Sequence, residues 1–544
     1  DKNTYFQLEE EDQEEMDIQM LRKNSIQLRF VFLTTSIIIS CVSLLFLDQY
    51  YLNARDSKIK LSLPKLHNEK HEKIVTTTPS NSSSNFTTTC NLRNVTKGAI
   101  NISTSIGDEG NRRRNVVSSH PLVKEKVQVF TTKKLDHCLG KYIYMYDLPS
   151  RFNEDLLKKC RTLNRWENIC PHLSNLGLGL EIIEELDTSV LSNENWFATN
   201  QFSLELIFHN IMKHYRCLTN DSSLASAIYV PYYVGLDIGR YLWGGFNISV
   251  RDESPKKLMK WLAQRPEWKK LNGKDHFLVG GRVGFDFRRR SDENEDWGTK
   301  FMFFPGASNM SILLIESCGF YGNEFAIPYP TYFHPRSDDE ILDWQNKVRK
   351  IKRNYMFTFA GAPRPNSTSS IRNELIEQCV LSPNCKLADC NKKQTCGDPN
   401  YVMKVFMNSV FCLQPPGDSY TRRSIFDSIL AGCIPVFFHP QSAYKQYVWH
   451  FPKNTSSYSI FIPEIDVKEK RVKIDMKLLN VSTNKVLAMR EEVIKLIPKI
   501  IYRYPSSRLK THEDAFDVAI KGVLGRVEAM RKEITSSSNI TVNS

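Results

Sequence analysis

No two aspartates in the 544 residues stand one residue apart. Proteins that hold a nucleotide diphosphate through a divalent ion usually present such a D-x-D pair. The sequence therefore predicts no metal, and leaves phosphate charge to cationic side chains and helix amides. No C-x-x-C pair occurs either. Cys379, Cys385, Cys390 and Cys396 lie close together but have neither that spacing nor neighbouring histidines, which favours disulfides over zinc. Cys412 and Cys433 each sit in an apolar strand pattern and are expected to be free thiols. Nucleic-acid motifs are also missing. The formal charge of +13 is scattered along the chain, so nucleic acid is not the expected partner. A basic surface suits anionic ligands or acidic polysaccharides, and serves solubility equally well.

Residues 53–134 are low in aromatics, rich in Ser, Thr, Asn and charge, and show no sustained periodicity. Such a segment cannot bury enough apolar surface to fold, and it reads as a stem that carries Cys90. Before it comes one long uncharged run, Phe30 to Leu47, near the minimum length for a transmembrane helix. Asp48, Gln49, Tyr50 and Tyr51 follow where a cleaved signal peptide would end in small residues. Arg22, Lys23 and Arg29 precede the run and Arg55, Lys58 and Lys60 follow it, so flanking charge does not orient it. Glycosylation sequons do. All eleven, at Asn81, Asn85, Asn94, Asn101, Asn220, Asn247, Asn309, Asn366, Asn454, Asn480 and Asn539, lie beyond the run, which places the body in the lumen. The expected order is a cytosolic tail (1–29), a signal anchor (30–47), a disordered glycosylated stem (48–135), βα halves at 136–335 and 336–534, and a loose tail (535–544). This is a single-pass type II arrangement that suits the Golgi membrane.

The stretch from Ser409 to His439 carries the clearest chemistry. Ser409 to Gln414 has a strand pattern, Pro415, Pro416 and Gly417 break it, Thr421 to Ala431 has helical spacing, and Gly432 ends the helix before a second strand, Cys433 to Phe438. Two parallel strands with a helical crossover put the loop and the helix start at the carboxyl edge of a sheet, where ligands bind in open α/β folds. Arg422 and Arg423 in the first turn oppose the helix dipole unless an anion binds there, and a sugar-nucleotide diphosphate suits. Ile425, Phe426, Ile429 and Leu430 form the apolar face, with Arg422 on its side. Arg423, Ser424, Asp427 and Ser428 share the other face. Asp427 can accept hydrogen bonds from ribose hydroxyls, or form an ordinary i,i+4 pair with Arg423, and both readings stay open.

The segment DSYTRRSIFDSILAGCIPVFFHPQSAY resembles the donor-binding segment of plant exostosin-type glycosyltransferases, on the xyloglucan galactosyltransferase branch. NQFSLELIFHN, LTNDSSLASAIYVPYYVGLDIGRYLWG, RPEWKKLNGKDHFLVGGRVGFDFRR, YPTYFHP and FAGAPRP are similar to that branch too, so the resemblance covers about Cys138 to Ile534. It implies a GT-B fold, two Rossmann-like βα domains facing a cleft. It also implies inverting transfer from a UDP-sugar, most simply galactose to the xylosyl side chains of xyloglucan, with no cofactor beyond the donor. A galacturonosyl or arabinosyl donor, a noncatalytic glycan-binding protein, and assembly with itself or with other Golgi glycosyltransferases stay open.

Donor contacts are expected from Gly361 and Arg364 in the turn after a strand at Tyr355 to Phe359, and from Gly417, Ser419, Tyr420, Thr421, Arg422, Arg423, Ser424 and Asp427. Inversion needs a base on the acceptor side, and Asp286, His276 and Asp237 stand at apparent strand ends of the first half. Asp286 is the first choice. Each has a structural alternative: Asp286 pairing with Arg282 or Arg288, His276 as a satisfied half-buried histidine. Phe285 stands where the family suggests Trp. Among the aromatics Tyr232, Tyr233, Tyr241, Trp243, Trp297, Tyr329 and Tyr332, most are expected in the core and a few as stacking platforms for a polysaccharide.

Overall fold

Short apolar runs form two parallel sheets. The computed structural model describes residues 136–542 apart from 184–190, 192–193, 320, 365–369 and 392–395. The tail, anchor and stem expected at 1–135 lie outside the described residues. No helix among the described residues is long and apolar enough to cross a membrane.

The first sheet comprises β1 (Tyr142–Met145), β2 (Leu218–Thr219), β3 (Ala225–Tyr229), β4 (His276–Val283), β5 (Ser311–Glu316) and β6 (Glu324–Ala326), in the order β2-β1-β3-β4-β5-β6. The second comprises β7 (Tyr355–Gly361), β8 (Cys385–Asp389), β9 (Ser409–Gln414), β10 (Ile434–Phe437) and β11 (Ile460–Phe461), in the order β11-β10-β9-β7-β8. Parallel sheets are covered on both faces, and the side chains show it. Phe277, Val279, Leu313 and Ile315 enter one core; Leu278, Ile312 and Leu314 enter the other. The first of these cores is shared with the second half, through Phe357 and Phe411 of its sheet and Phe426 of the helix between β9 and β10.

The helices that bear on the site are α1 (Leu204–Lys213), α2 (Val234–Gly239), α3 (Ile248–Ala263), α4 (Pro266–Leu271), α5 (Asp338–Lys350), α6 (Arg372–Leu381), α7 (Arg423–Leu430), α8 (Thr483–Ile500) and α9 (Ala515–Val542). The stretch Leu258 to Trp268, which reads as one helix, is the end of α3 and the start of α4. Pro266 opens α4, and Arg265 before it is extended, as the proline ring requires.

The last helix also departs from expectation. Thr511 lies ahead of it, its hydroxyl donating to Asp338 at 2.8 Å, and Asp514 caps the helix by accepting from Asp517 N at 3.0 Å. The helix continues past Thr535, where a loose tail is expected, to Val542. It reaches the first half as well as the second: Phe516 packs on Phe208 with ring centroids 4.6 Å apart, Arg531 lies 3.4 Å from Asp275, and His450 Nε2 lies 3.1 Å from Ala515 O.

Five disulfides join described residues: Cys138–Cys217, Cys160–Cys170, Cys379–Cys385, Cys390–Cys396 and Cys412–Cys433. Cys318 is disulfide-bonded as well. The 379–396 group is thus disulfide rather than zinc. Cys412 and Cys433 correct the free-thiol expectation. The crossover sets β10 alongside β9, with Pro435 opposite Cys412, and the two cysteines come within 5.8 Å, Cα to Cα.

Replacing both Cys412 and Cys433 by alanine is expected to lower stability by about 3 kcal/mol, from the chain entropy released in a loop of this length. Denaturant melts of the double variant and of wild type, without reductant, measure the difference.

Candidate active site

After β9, Pro415 and Gly417 turn the chain back, and the loop runs through Tyr420 to Arg422, which caps α7 in extended conformation (φ −151°, ψ 148°). One carboxylate holds this loop. Glu316, the last residue of β5, accepts from Ser419 Oγ (2.6 Å), Thr421 Oγ1 (2.6 Å), Thr421 N (2.9 Å) and Tyr420 N (3.2 Å). Burial pushes its pKa up, and these hydrogen bonds pull against that shift. The Tyr420 ring stacks on His439, centroids 4.4 Å apart. Tyr329 Oη lies 3.4 Å from Thr421 Oγ1. The carboxyl edge of the first sheet therefore fixes the loop that leaves the second.

Arg422 turns into this edge rather than into solvent. A Cβ on Gly417 would collide with Arg422 Nη1 and lie 2.9 Å from Arg372 Nη2, so it is the bare glycine that admits both guanidinium groups. Arg372, at the start of α6, is buried, and its Nε and Nη2 have no hydrogen-bond partner among the described residues. Burial, with Arg364 nearby adding to it, pulls Arg422 down to about 10, against the opposing pull of Tyr329 and Glu316. Arg364 pairs with Asp418 on the same loop. Gly361 ends β7 beside them, its Cα face filled by the Phe359 ring. Unpartnered buried donors are costly, so a cluster of them around a bare turn suits an anion.

The other face of α7 turns to protein groups, with Arg423 Nε and Nη2 and Asp427 Oδ1 still lacking hydrogen-bond partners among the described residues. Arg423 Nε lies 3.3 Å from Asp427 Oδ2, its Nη1 donates to Thr199 O, and its guanidinium lies 3.7 Å from the Tyr332 ring centroid. Ser424 Oγ donates to Gln414 Oε1 at 2.6 Å. Asp427 is buried. Of the two readings of Arg423 and Asp427, the i,i+4 pair is the one observed, because the segment around Thr199 and Tyr332 covers this face.

On the first sheet, β4 runs into a 3-10 turn, Gly284–Phe287, that carries Asp286. Its carboxylate is buried, accepts from Trp297 Nε1 at 2.7 Å and lies 3.4 Å from Arg282 Nη1. Burial raises its pKa; Arg282 and Trp297 oppose the rise. Its charge reaches Tyr329, the residue that meets Thr421. Asp237 lies on α2, buried, accepting from Tyr232 Oη at 2.5 Å and paired with Arg240. His276 is not part of this edge. It is the first residue of β4, so in a parallel sheet it sits at the opposite end from Asp286. It is fully buried between Asp275 Oδ1 (2.9 Å) and Tyr146 Oη (3.0 Å).

Three residues escaped the sequence reading: Arg372, Glu316 and Glu205. Glu205, on α1, accepts from Gly281 N (2.9 Å), Leu236 N (3.2 Å) and Gly235 N, and burial lifts it to about 7. The one signal in sequence is a glutamate on the apolar face of a helix or closing an apolar strand.

A parallel α/β body with arginines gathered at a glycine turn before a crossover helix defines a class of proteins that grip anionic ligands at a sheet's carboxyl edge. Residues 137–478 match the Exostosin GT47 domain, and the chain belongs to that family of glycosyltransferases. Its relatives in Arabidopsis thaliana include Xyloglucan galactosyltransferase MUR3, 54% identical over 74% of this chain and 64% of that protein. Probable xyloglucan galactosyltransferase GT12 is 52% identical over 75% of this chain and 81% of the relative. For Probable xyloglucan galactosyltransferase GT14 the figures are 56%, 72% and 75%. Among solved structures, WaaG, a glycosyltransferase involved in lipopolysaccharide biosynthesis, aligns at 12% identity with a TM-score of 0.27 over 54% of this chain and 91% of that one, too remote to carry an argument.

Burial raises Asp427 from 3.8 to about 6, although Arg423 pulls the other way. The folded state then holds this proton more tightly than the unfolded state. The group's contribution to stability is fully present below about pH 4 and is lost as pH rises through about 6. Asp427→Asn removes that fall, so the stability of the variant relative to wild type is expected to improve steadily across this window in denaturant titrations.

Proposed function

We propose that this protein is an inverting glycosyltransferase that moves galactose from UDP-galactose onto the xylosyl side chains of xyloglucan. On this reading the two sheets form a GT-B-type pair, the second holding the donor and the first the acceptor. The observation that carries it is the set of Arg364, Arg372 and Arg422 about Gly417, with two buried guanidinium nitrogens of Arg372 unpartnered among the described residues. A pyrophosphate supplies the acceptors those donors lack. The choice of galactose and xyloglucan rests on relatives that bear that activity in their names, at 52–56% identity.

In the reaction, an acceptor hydroxyl oxygen bonds to the anomeric carbon as the bond to the UDP oxygen breaks, and UDP leaves with that electron pair. Asp286 takes the hydroxyl proton; its raised pKa suits a base. Arg372 and Arg422 offset the charge that builds on the leaving phosphate, a role that needs no divalent ion. The setting proposed is the Golgi lumen, with the chain anchored as a type II protein. The uncharged run at Phe30 to Leu47, the sequons beyond it and the disulfides among the described residues of the body support this.

The test offers UDP-galactose and xyloglucan oligosaccharides to the full chain, with and without chelator, and titrates UDP separately. Arg422→Ala is expected to weaken UDP binding at least about tenfold, as loss of a charged hydrogen-bonding partner does. Asp286→Asn is expected to keep UDP binding and lose about 10²–10⁴-fold in transfer rate. Full turnover in the Asn variant removes Asp286 as the base, and loss of turnover on chelation removes the metal-free reading.

A further inference from the structure

Beside Asp286 the surface changes character. Trp243 is 56% exposed, an unusual state for so large an apolar ring. It is presented there by Gly244 and Gly245, whose positive φ values (100° and 69°) make a turn that glycine alone adopts readily. Its ring meets Trp297 edge-on, centroids 4.9 Å apart at 78°. The Phe285 ring lies within 7° of parallel to Trp297, 6.3 Å away. Both Phe285 and Trp297 are partly exposed. The three rings form a corner, and Trp297 links it to the reaction centre because its indole N–H is the donor to Asp286 at 2.7 Å.

Of the cations that border this corner, two are ion-paired, and a third, Arg165, beside Gly244, lies over the Trp166 ring. Arg240 pairs with Asp237 and stacks on Tyr241; Arg282 pairs with Asp286 and covers the Phe202 ring. The glycine turn of the second half differs: there two buried guanidinium nitrogens of Arg372 lack partners among the described residues, here Arg240 and Arg282 are ion-paired. The ring faces themselves carry no charge to attract an anion. Such a surface fits the C–H face of an uncharged pyranose, which lies flat on an aromatic ring, with equatorial hydroxyls left to reach the polar rim.

We propose that Trp243, Phe285 and Trp297 form a subsite for the neutral β-glucan backbone of the acceptor, adjoining the base. This rests on the acceptor side of the transfer described above and adds to it a binding residue, Trp243, that touches neither donor nor base. Stacking here sets where along the backbone the chain is gripped, and so which side chain falls beside Asp286.

Cellohexaose, an acidic galacturonan hexamer and UDP, each titrated into the full chain and into Trp243→Ala and Phe285→Ala, test the proposal by calorimetry. Trp243 is exposed, so its variant is expected to fold; a melt and the UDP titration check that. Cellohexaose is expected to bind wild type in preference to the acidic hexamer and to bind Trp243→Ala about tenfold more weakly, with Phe285→Ala affected in the same direction and UDP affinity unchanged. The subsite is overturned if wild type fails to bind cellohexaose, if it prefers the acidic hexamer, or if Trp243→Ala binds cellohexaose as wild type does. A wild type that binds cellohexaose in the expected way but not UDP supports the subsite and overturns the donor assignment, so the two failures are told apart.

Discussion

The anion cradle depends on the carboxylate of Glu316. It sits at the end of a fully buried strand, has no cation among its hydrogen-bond partners, and takes four hydrogen bonds from Ser419, Tyr420 and Thr421. A buried carboxylate left alone is strongly unfavourable, and each hydrogen bond to a charged group returns roughly 1.5–3 kcal/mol. The loop therefore has one low-energy place to be. Because the loop belongs to the second half and Glu316 to the first, one interaction fixes the backbone ahead of α7 and joins the edges of the two sheets. Tyr447 and Gln446 repeat the connection, donating to Ile315 O (2.8 Å) and to Ser317 O (2.8 Å).

The two sides of the cleft handle charge in opposite ways. Around Gly417 the protein buries cations without enough acceptors, which leaves binding energy for a ligand to release. Around Asp286 the cations Arg240 and Arg282 are ion-paired with Asp237 and Asp286, and the neighbouring surface is made of ring faces.

Much of this was legible in sequence where chemistry is local. The strand, proline–glycine break, helix and closing glycine from Ser409 to Phe438 appear at nearly the positions read, since each boundary is set by residues within a few places of it. Arg422 was legible for the same reason: a cation at the wrong end of a helix dipole marks itself. Glu316 and Arg372 were not, because their roles come from partners 105 residues away, or from a glycine in a distant loop. His276 misled because an apparent strand end does not say which edge of the sheet that end belongs to. The observed strand, His276–Val283, puts the histidine at its start. Cys412 and Cys433 misled because a one-dimensional pattern shows that two strands are buried, not that they are neighbours. For Arg423 and Asp427, the helix's own geometry was right and the missing piece was the cover supplied by Thr199 and Tyr332.

The closing helix α9 has a consequence for motion. The chain passes from the first sheet to the second between β6 and α5, and returns after α8 to lay α9 along the first sheet, with Phe516 on Phe208, Arg531 near Asp275 and Arg503 bound to Asp514 at the return. A pair of lobes tethered by a single strand of backbone can swivel in any direction. Here two backbone crossings add to the shared core and to the Glu316 contacts, so the positions of the two sheets constrain each other.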